Sequence, residues 1–101
     1  MLFMVIERYK NQDAKSVYQR AAEQGRMLPD GLRYVDSWVE ANFDRCFQLM
    51  ECDDLTLFQQ WILQWNDLVE FEIVPVVPSK DVSQTMKHHR QRTGLPVSTE
   101  A

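Results

Sequence analysis

The stretch GLRYVDSWVEANFDRCFQLMEC, residues 31–52, reads as two β-strands around a tight turn. A Pro29-Asp30-Gly31 turn signal leads into it. A loop of about three residues, Asn42 to Asp44, makes a hairpin of residues 32–41 and 45–52. In that register Val39 faces Phe47, Ser37 faces Leu49, Trp38 faces Gln48 and Asp36 faces Met50. Side chains alternate along a strand, so the first two pairs share one face and the last two share the other. One face is therefore apolar, and the other mixes Tyr34, Asp36, Trp38, Gln48 and Met50. A loop one residue different exchanges the pairs and with them the faces.

Working outward, LFMVIERY (residues 2–9) is rich in β-formers and nearly continuous in apolar character, which suits a central strand covered on both faces. In NQDAKSVYQRAAEQG (residues 11–25), Asn11 or Asp13 caps a helix. Its stripe is Ala14, Val17, Tyr18, Ala21 and Ala22, and Gly25 supplies the C-terminal cap. After the hairpin, Asp53 or Asp54 caps a second helix, DLTLFQQWILQW, with the stripe Leu55, Phe58, Ile62 and Trp65. A last strand, LVEFEIVPVV, sets Val69, Phe71 and Ile73 against Glu70, Glu72 and Val74. Pro75 and Pro78 mark its end or place it at a sheet edge.

The order is β-α-β-β-α-β, the ferredoxin-like split βαβ of an α+β protein. Right-handed crossovers put both helices on one face of a four-stranded antiparallel sheet. Val35, Val39, Phe47, Leu49, Phe71 and Ile73 are expected to face them. The mixed face then has no cover. With Tyr34, Trp38, Met50, Val74 and either Met4 or Ile6 it is a large apolar patch for a monomer. Two such sheets packed face to face would bury it, so a homodimer is expected. Residues 1–78 form the domain. Residues 79–101 form a tail, helical at first with a thin Val82, Met86, His89 stripe and irregular over LPVSTEA.

One domain suits 101 residues, and 45% hydrophobic with 26% charged residues is an ordinary globular balance. A formal net charge of −4 argues against general nucleic-acid affinity. No apolar run approaches the ~20 residues of a membrane span, and the N-terminus lacks the basic region and cleavage site of a signal peptide. Cys46 and Cys52 fall on one strand, ~20 Å apart at ~3.3 Å per residue, beyond disulfide reach. Reduced thiols fit a cytoplasmic protein.

A mostly apolar wall with a few convergent polar groups is how small-molecule sites are built. The expected ligand-binding residues are Tyr34, Asp36, Trp38, Gln48, Met50 and Glu72, with Cys46 and Glu70 close by. Trp38 and Met50 supply apolar contact, while Asp36, Gln48 and Glu72 fix orientation. A carboxylate buried there would have a raised pKa and could act as a general base, which makes Asp36 and Glu72 the catalytic candidates if the protein is an enzyme. His88 and His89 point ~100° apart on a helix and cannot chelate one metal together. No metal or cofactor is expected. The Lys87, Arg90, Arg92 cluster lacks stacking aromatics. Three glycines leave no phosphate-binding loop.

The run GRMLPDGLRYVDSWVEANFDRCFQLMECDD, followed after the second helix by QWNDLVEFEIVPVV, resembles a family of short bacterial proteins known as domain of unknown function 3303. The resemblance spans roughly residues 1–78. It implies a ferredoxin-like fold of the dimeric α+β barrel kind, in which two sheets enclose a central cavity. It transfers no catalytic residues. The leading expectation is a homodimeric small-molecule-binding module using that cavity. A cofactor-independent oxygenase or isomerase of a small aromatic or carbonyl compound is the alternative, and a structural or protein-interaction module is the second.

Overall fold

The computed structural model describes residues 1–93. Its elements are β1 (Leu2–Tyr9), α1 (Ala14–Gln24), β2 (Arg33–Val39), β3 (Arg45–Glu51), α2 (Thr56–Ile62), β4 (Val69–Val76) and α3 (Ser79–Thr93). The strands form one antiparallel sheet in the order β2-β3-β1-β4. This is the expected ferredoxin-like α+β arrangement with a helix added at the end. The predicted irregular stretch, 95–101, lies outside the described residues.

β1 is central, as its apolar run predicts. It pairs with β3 on one side and β4 on the other. Phe3, Val5, Glu7 and Tyr9 point into the core, while Leu2, Met4 and Ile6 lie on the open face, half-buried. β4 is an edge strand. Pro75 is therefore tolerated within it, because an edge can leave a backbone donor missing. Val69, Phe71 and Ile73 join the core as expected.

The hairpin departs from its predicted register. Val39 pairs with Cys46, Trp38 with Phe47, Ser37 with Gln48 and Asp36 with Leu49. The physical reason is the loop. Glu40 N donates to Arg45 O at 2.9 Å and Phe43 N donates to Glu40 O at 2.9 Å, so the turn holds residues 41–44, one more than predicted. Phe43 takes a left-handed φ of 60° to close it. A bulge then falls between Tyr34 and Asp36, and Tyr34 pairs with Met50. Cys46, Gln48 and Met50 consequently face the helices. Phe47 and Leu49, predicted to face them, lie on the open side. Val35, also predicted inward, sits at the bulge and is half exposed.

Asp13 caps α1 by accepting from Ser16 N at 3.1 Å and Ser16 Oγ at 2.5 Å. Gly25, with φ 71°, ends it through a 2.8 Å bond to Ala21 O. Ala14 and Val17 are buried, whereas Tyr18 and Ala22 are exposed. Asp54 takes Thr56 N and Oγ1 at 2.9 and 2.7 Å ahead of α2. The buried stripe of this segment is Phe58, Trp61 and Trp65, which keeps Phe58 and Trp65 of the predicted set. Leu55 is exposed and Ile62 only partly buried, because the helix ends at Ile62 and the chain continues as turns. Edge-on contacts Phe3–Phe58 (5.0 Å) and Trp61–Phe71 (5.2 Å) lock α2 to the sheet. Arg20 holds Asp67 through paired bonds of 2.8 and 2.6 Å, tying α1 to the turn before β4.

This register predicts that Met50→Ala lowers stability by about 2–5 kcal/mol in urea unfolding, while Val35→Ala changes it by about 0.5 kcal/mol or less. Equal losses at the two positions would contradict the bulge.

Candidate functional site

Among the described residues, Glu7 and Gln48 are the polar side chains classed as buried, with 5% and 7% of their surface exposed. β1 pairs with β3 so that Val5 opposes Gln48 and Glu7 opposes Cys46. Glu7 and Gln48 are thus diagonal neighbours on the face covered by the helices. Gln48 Nε2 donates to Glu7 Oε1. Gln48 Oε1 is buried and has no hydrogen-bond partner among the described residues.

Above this pair lies a cavity of about 210 Å³. Its walls are aromatic and aliphatic: Tyr9 from β1, Val17 and Ala21 from α1, Val39 from β2, and Trp61 and Trp65 from the α2 segment. Tyr18, Gly25 and Arg26 line it as well and are exposed to solvent. At ~30 Å³ per molecule of liquid water the space equals about seven waters, so it suits one small ring rather than a drug-sized ligand. Both indole N–H groups, of Trp61 and Trp65, donate to Arg26 O at 2.9 and 3.0 Å. That double bond to one carbonyl fixes the rings and pins the α1–β2 connection over the cavity. The Arg26 guanidinium lies 3.7 Å from the Tyr34 ring centroid.

Burial pushes the Glu7 carboxyl up from its ordinary 4.5 to about 7, against the lowering effects of the Gln48 hydrogen bond and the Arg26 charge. Burial, with the Glu7 charge second, pushes the Cys46 thiol up to about 11, so it is a poor nucleophile near neutral pH. The Tyr9 hydroxyl is raised too, first by burial. The chemical capacity of the site therefore rests in Glu7, which can take up or release a proton near neutrality inside an apolar cavity.

The predicted site residues do not share one face. Asp36, Trp38 and Glu72 lie on the open side of the sheet, all exposed, with Trp38 beside Phe47 and Glu72 opposite Ile6. Gln48 and Met50 lie on the helix side. Tyr34 joins them there, and its hydroxyl shares a 2.6 Å hydrogen bond with Ser37 Oγ. Only Gln48 of the six lines the cavity. Glu7 escaped the sequence reading although a signal existed: a carboxylate occupying an inward position between Val5 and Tyr9 of a central strand. Trp61 and Trp65 belong to the core and also form the cavity wall. His88 and His89 are exposed on α3. Among the described residues no three His, Cys, Asp or Glu side chains cluster as metal ligands, and no helix is long and apolar enough to cross a membrane.

The class the fold defines is a ferredoxin-like α+β protein. The chain belongs to the family described as a domain of unknown function (DUF3303), which matches residues 1–90 and so takes in most of α3. No curated protein and no solved structure matches the chain.

The folded protein holds the Glu7 proton more tightly than the unfolded chain does. Its stabilising contribution is therefore complete below about pH 4.5 and lost as the pH rises to about 7. At 1.36 kcal/mol per pH unit the loss is roughly 3 kcal/mol. Glu7→Gln is expected to flatten this part of the pH–stability profile and to exceed the parent in stability at about pH 8, as urea unfolding at a series of pH values would show. A parent profile that stays level across the same window would contradict the burial of Glu7.

Proposed function

We propose that this protein binds a small molecule in the cavity between its sheet and helices, and that it works as a homodimer joined through the open sheet face. The observation that carries the first part is the Glu7–Gln48 pair. Two buried polar groups at the floor of an otherwise apolar cavity are expensive to keep unless something uses them. This moves the expected binding site from between two sheets to within one subunit, while the kind of function stays the same.

Support for the dimer comes from the open face. Phe47, Ile6, Leu49, Met4 and Val74 form a contiguous apolar centre, and Trp38, 53% exposed, extends it at the edge. Charges of both signs surround it, including Arg33 and Glu51 at one end and Arg8, Glu70 and Glu72 toward the other. An apolar centre with a mixed-charge rim suits a two-fold contact between identical sheets. The buried, free Cys46 and Cys52 fit a reducing, cytoplasmic compartment.

A cofactor-independent oxygenase or isomerase is the second reading. It draws on the near-neutral proton affinity of Glu7. In that case Glu7→Gln would abolish turnover of a bound compound without releasing it.

Native mass spectrometry of freshly purified protein tests the proposal. The expected species is a dimer with a reproducible small added mass. Ala21→Phe, which fills the cavity, should keep the dimer and lose the mass. Phe47→Glu should give a monomer that retains it. A mass that survives Ala21→Phe would place the ligand elsewhere, and a parent chain that is monomeric would end the sheet-to-sheet assembly.

A further inference from the structure

The cavity has an unequal stock of hydrogen-bonding groups. Several of its donors are committed: both indole N–H groups go to Arg26 O, and Gln48 Nε2 goes to Glu7. Ser37 Oγ is engaged with the Tyr34 hydroxyl at 2.6 Å. One buried acceptor is not committed. Gln48 is nine-tenths buried, lines the cavity, and has an Oε1 with no partner among the described residues. A buried carbonyl oxygen without a donor is a rare condition that calls for one. Beside it stands the carboxyl of Glu7. The walls include the aromatic rings of Tyr9, Trp61 and Trp65, whose π-systems can favour positive charge.

An unpartnered carbonyl and a carboxyl at the floor, with aromatic rings at the sides, suit a ligand that brings both hydrogens and positive charge. We infer that the cavity selects a small, flat organic cation bearing N–H donors, of the amidinium or benzylic ammonium class. The cation donates to Gln48 Oε1, after a small rotation of that amide, and to the Glu7 carboxylate. The inference rests on the reading of the cavity as a binding site and adds the chemistry of its ligand.

Other groups near Glu7 bear on the pH dependence. Tyr9 and Cys46 flank it on the sheet, and both stay neutral in the physiological range because burial raises them. Tyr18 faces it from α1, and Arg26 from the α1–β2 connection. Arg26 is the opposing influence, since its positive charge favours an anion. Its guanidinium is stacked on the Tyr34 ring and exposed to solvent, so water screens a charge that still reaches Glu7. A cation thus requires Glu7 ionised, and its affinity should rise with pH up to about 7 and level off above.

Three probes of one shape separate the possibilities: benzamidine, which has donors and a positive charge; benzamide, neutral with both; and benzoate, an anion with acceptors alone. Each is titrated into the full chain and followed by amide NMR shifts of cavity residues at about pH 8 and about pH 6. The expected order is benzamidine, benzamide, benzoate, with benzamidine weakening about tenfold at the lower pH as Glu7 takes up its proton. Glu7→Gln, close to isosteric, should erase both the preference and the pH dependence. Gln48→Met should weaken benzamidine and benzamide alike. Benzoate binding as tightly as benzamidine, or a benzamidine affinity that ignores pH, overturns the inference and leaves the binding reading standing. No cavity shifts with any of the three overturns both.

Discussion

The hydrogen bond from Gln48 to Glu7 joins the two central strands beneath the helices, and the polar interior of this protein depends on it. A carboxyl or an amide alone at that depth would carry the full cost of leaving water. Together they satisfy part of each other's demand, and the β1–β3 register puts them within reach. The satisfaction is incomplete. Gln48 Oε1 stays without a partner, and burial outweighs the hydrogen bond in setting the proton affinity of Glu7. A fold optimised for stability alone would place two aliphatic side chains here. Keeping this pair costs stability above neutral pH, the kind of local expense that accompanies a functional site.

The surrounding architecture holds that floor open. Trp61 and Trp65 are anchored through their indole N–H groups to the carbonyl of Arg26, so the walls cannot collapse onto the carboxyl without breaking two hydrogen bonds. Arg20, bonded to Asp67 and lying 5.5 Å from the Trp65 ring centroid, braces α1 against the same corner. The two sides of the sheet then divide the work. The helix side carries the cavity. The open side carries the apolar centre around Phe47 and Ile6, on which the proposed subunit contact rests.

Element order and sheet topology were legible because they depend on long signals: the apolar run of β1, the Asp13 and Gly25 caps, the Pro29-Asp30-Gly31 turn, and the alternation through β4. The site was much less so. Its placement depended on the length of one loop, and Phe43 closes that loop in a left-handed conformation which a bulky aromatic gives no reason to expect. With apolar residues on both faces of β3, periodicity had no power to choose between Phe47 and Leu49 on one side and Cys46 and Met50 on the other. The bulge at Val35 then reversed Tyr34 relative to Asp36. Glu7 was visible in principle, as a charge inside an otherwise inward-facing apolar set, but it was read as part of the strand rather than as an exception to it.

The most direct test of this account is the titration of Glu7 itself, followed by the NMR shift of its side-chain carboxyl carbon together with the side-chain amide signals of Gln48. The account predicts a midpoint near 7, shared by both residues, because burial raises the carboxyl and the amide reports the proton on its partner. A midpoint near 4.5, with Gln48 unmoved, would mean that Glu7 stays hydrated, and the cavity floor on which the functional reading stands would not exist.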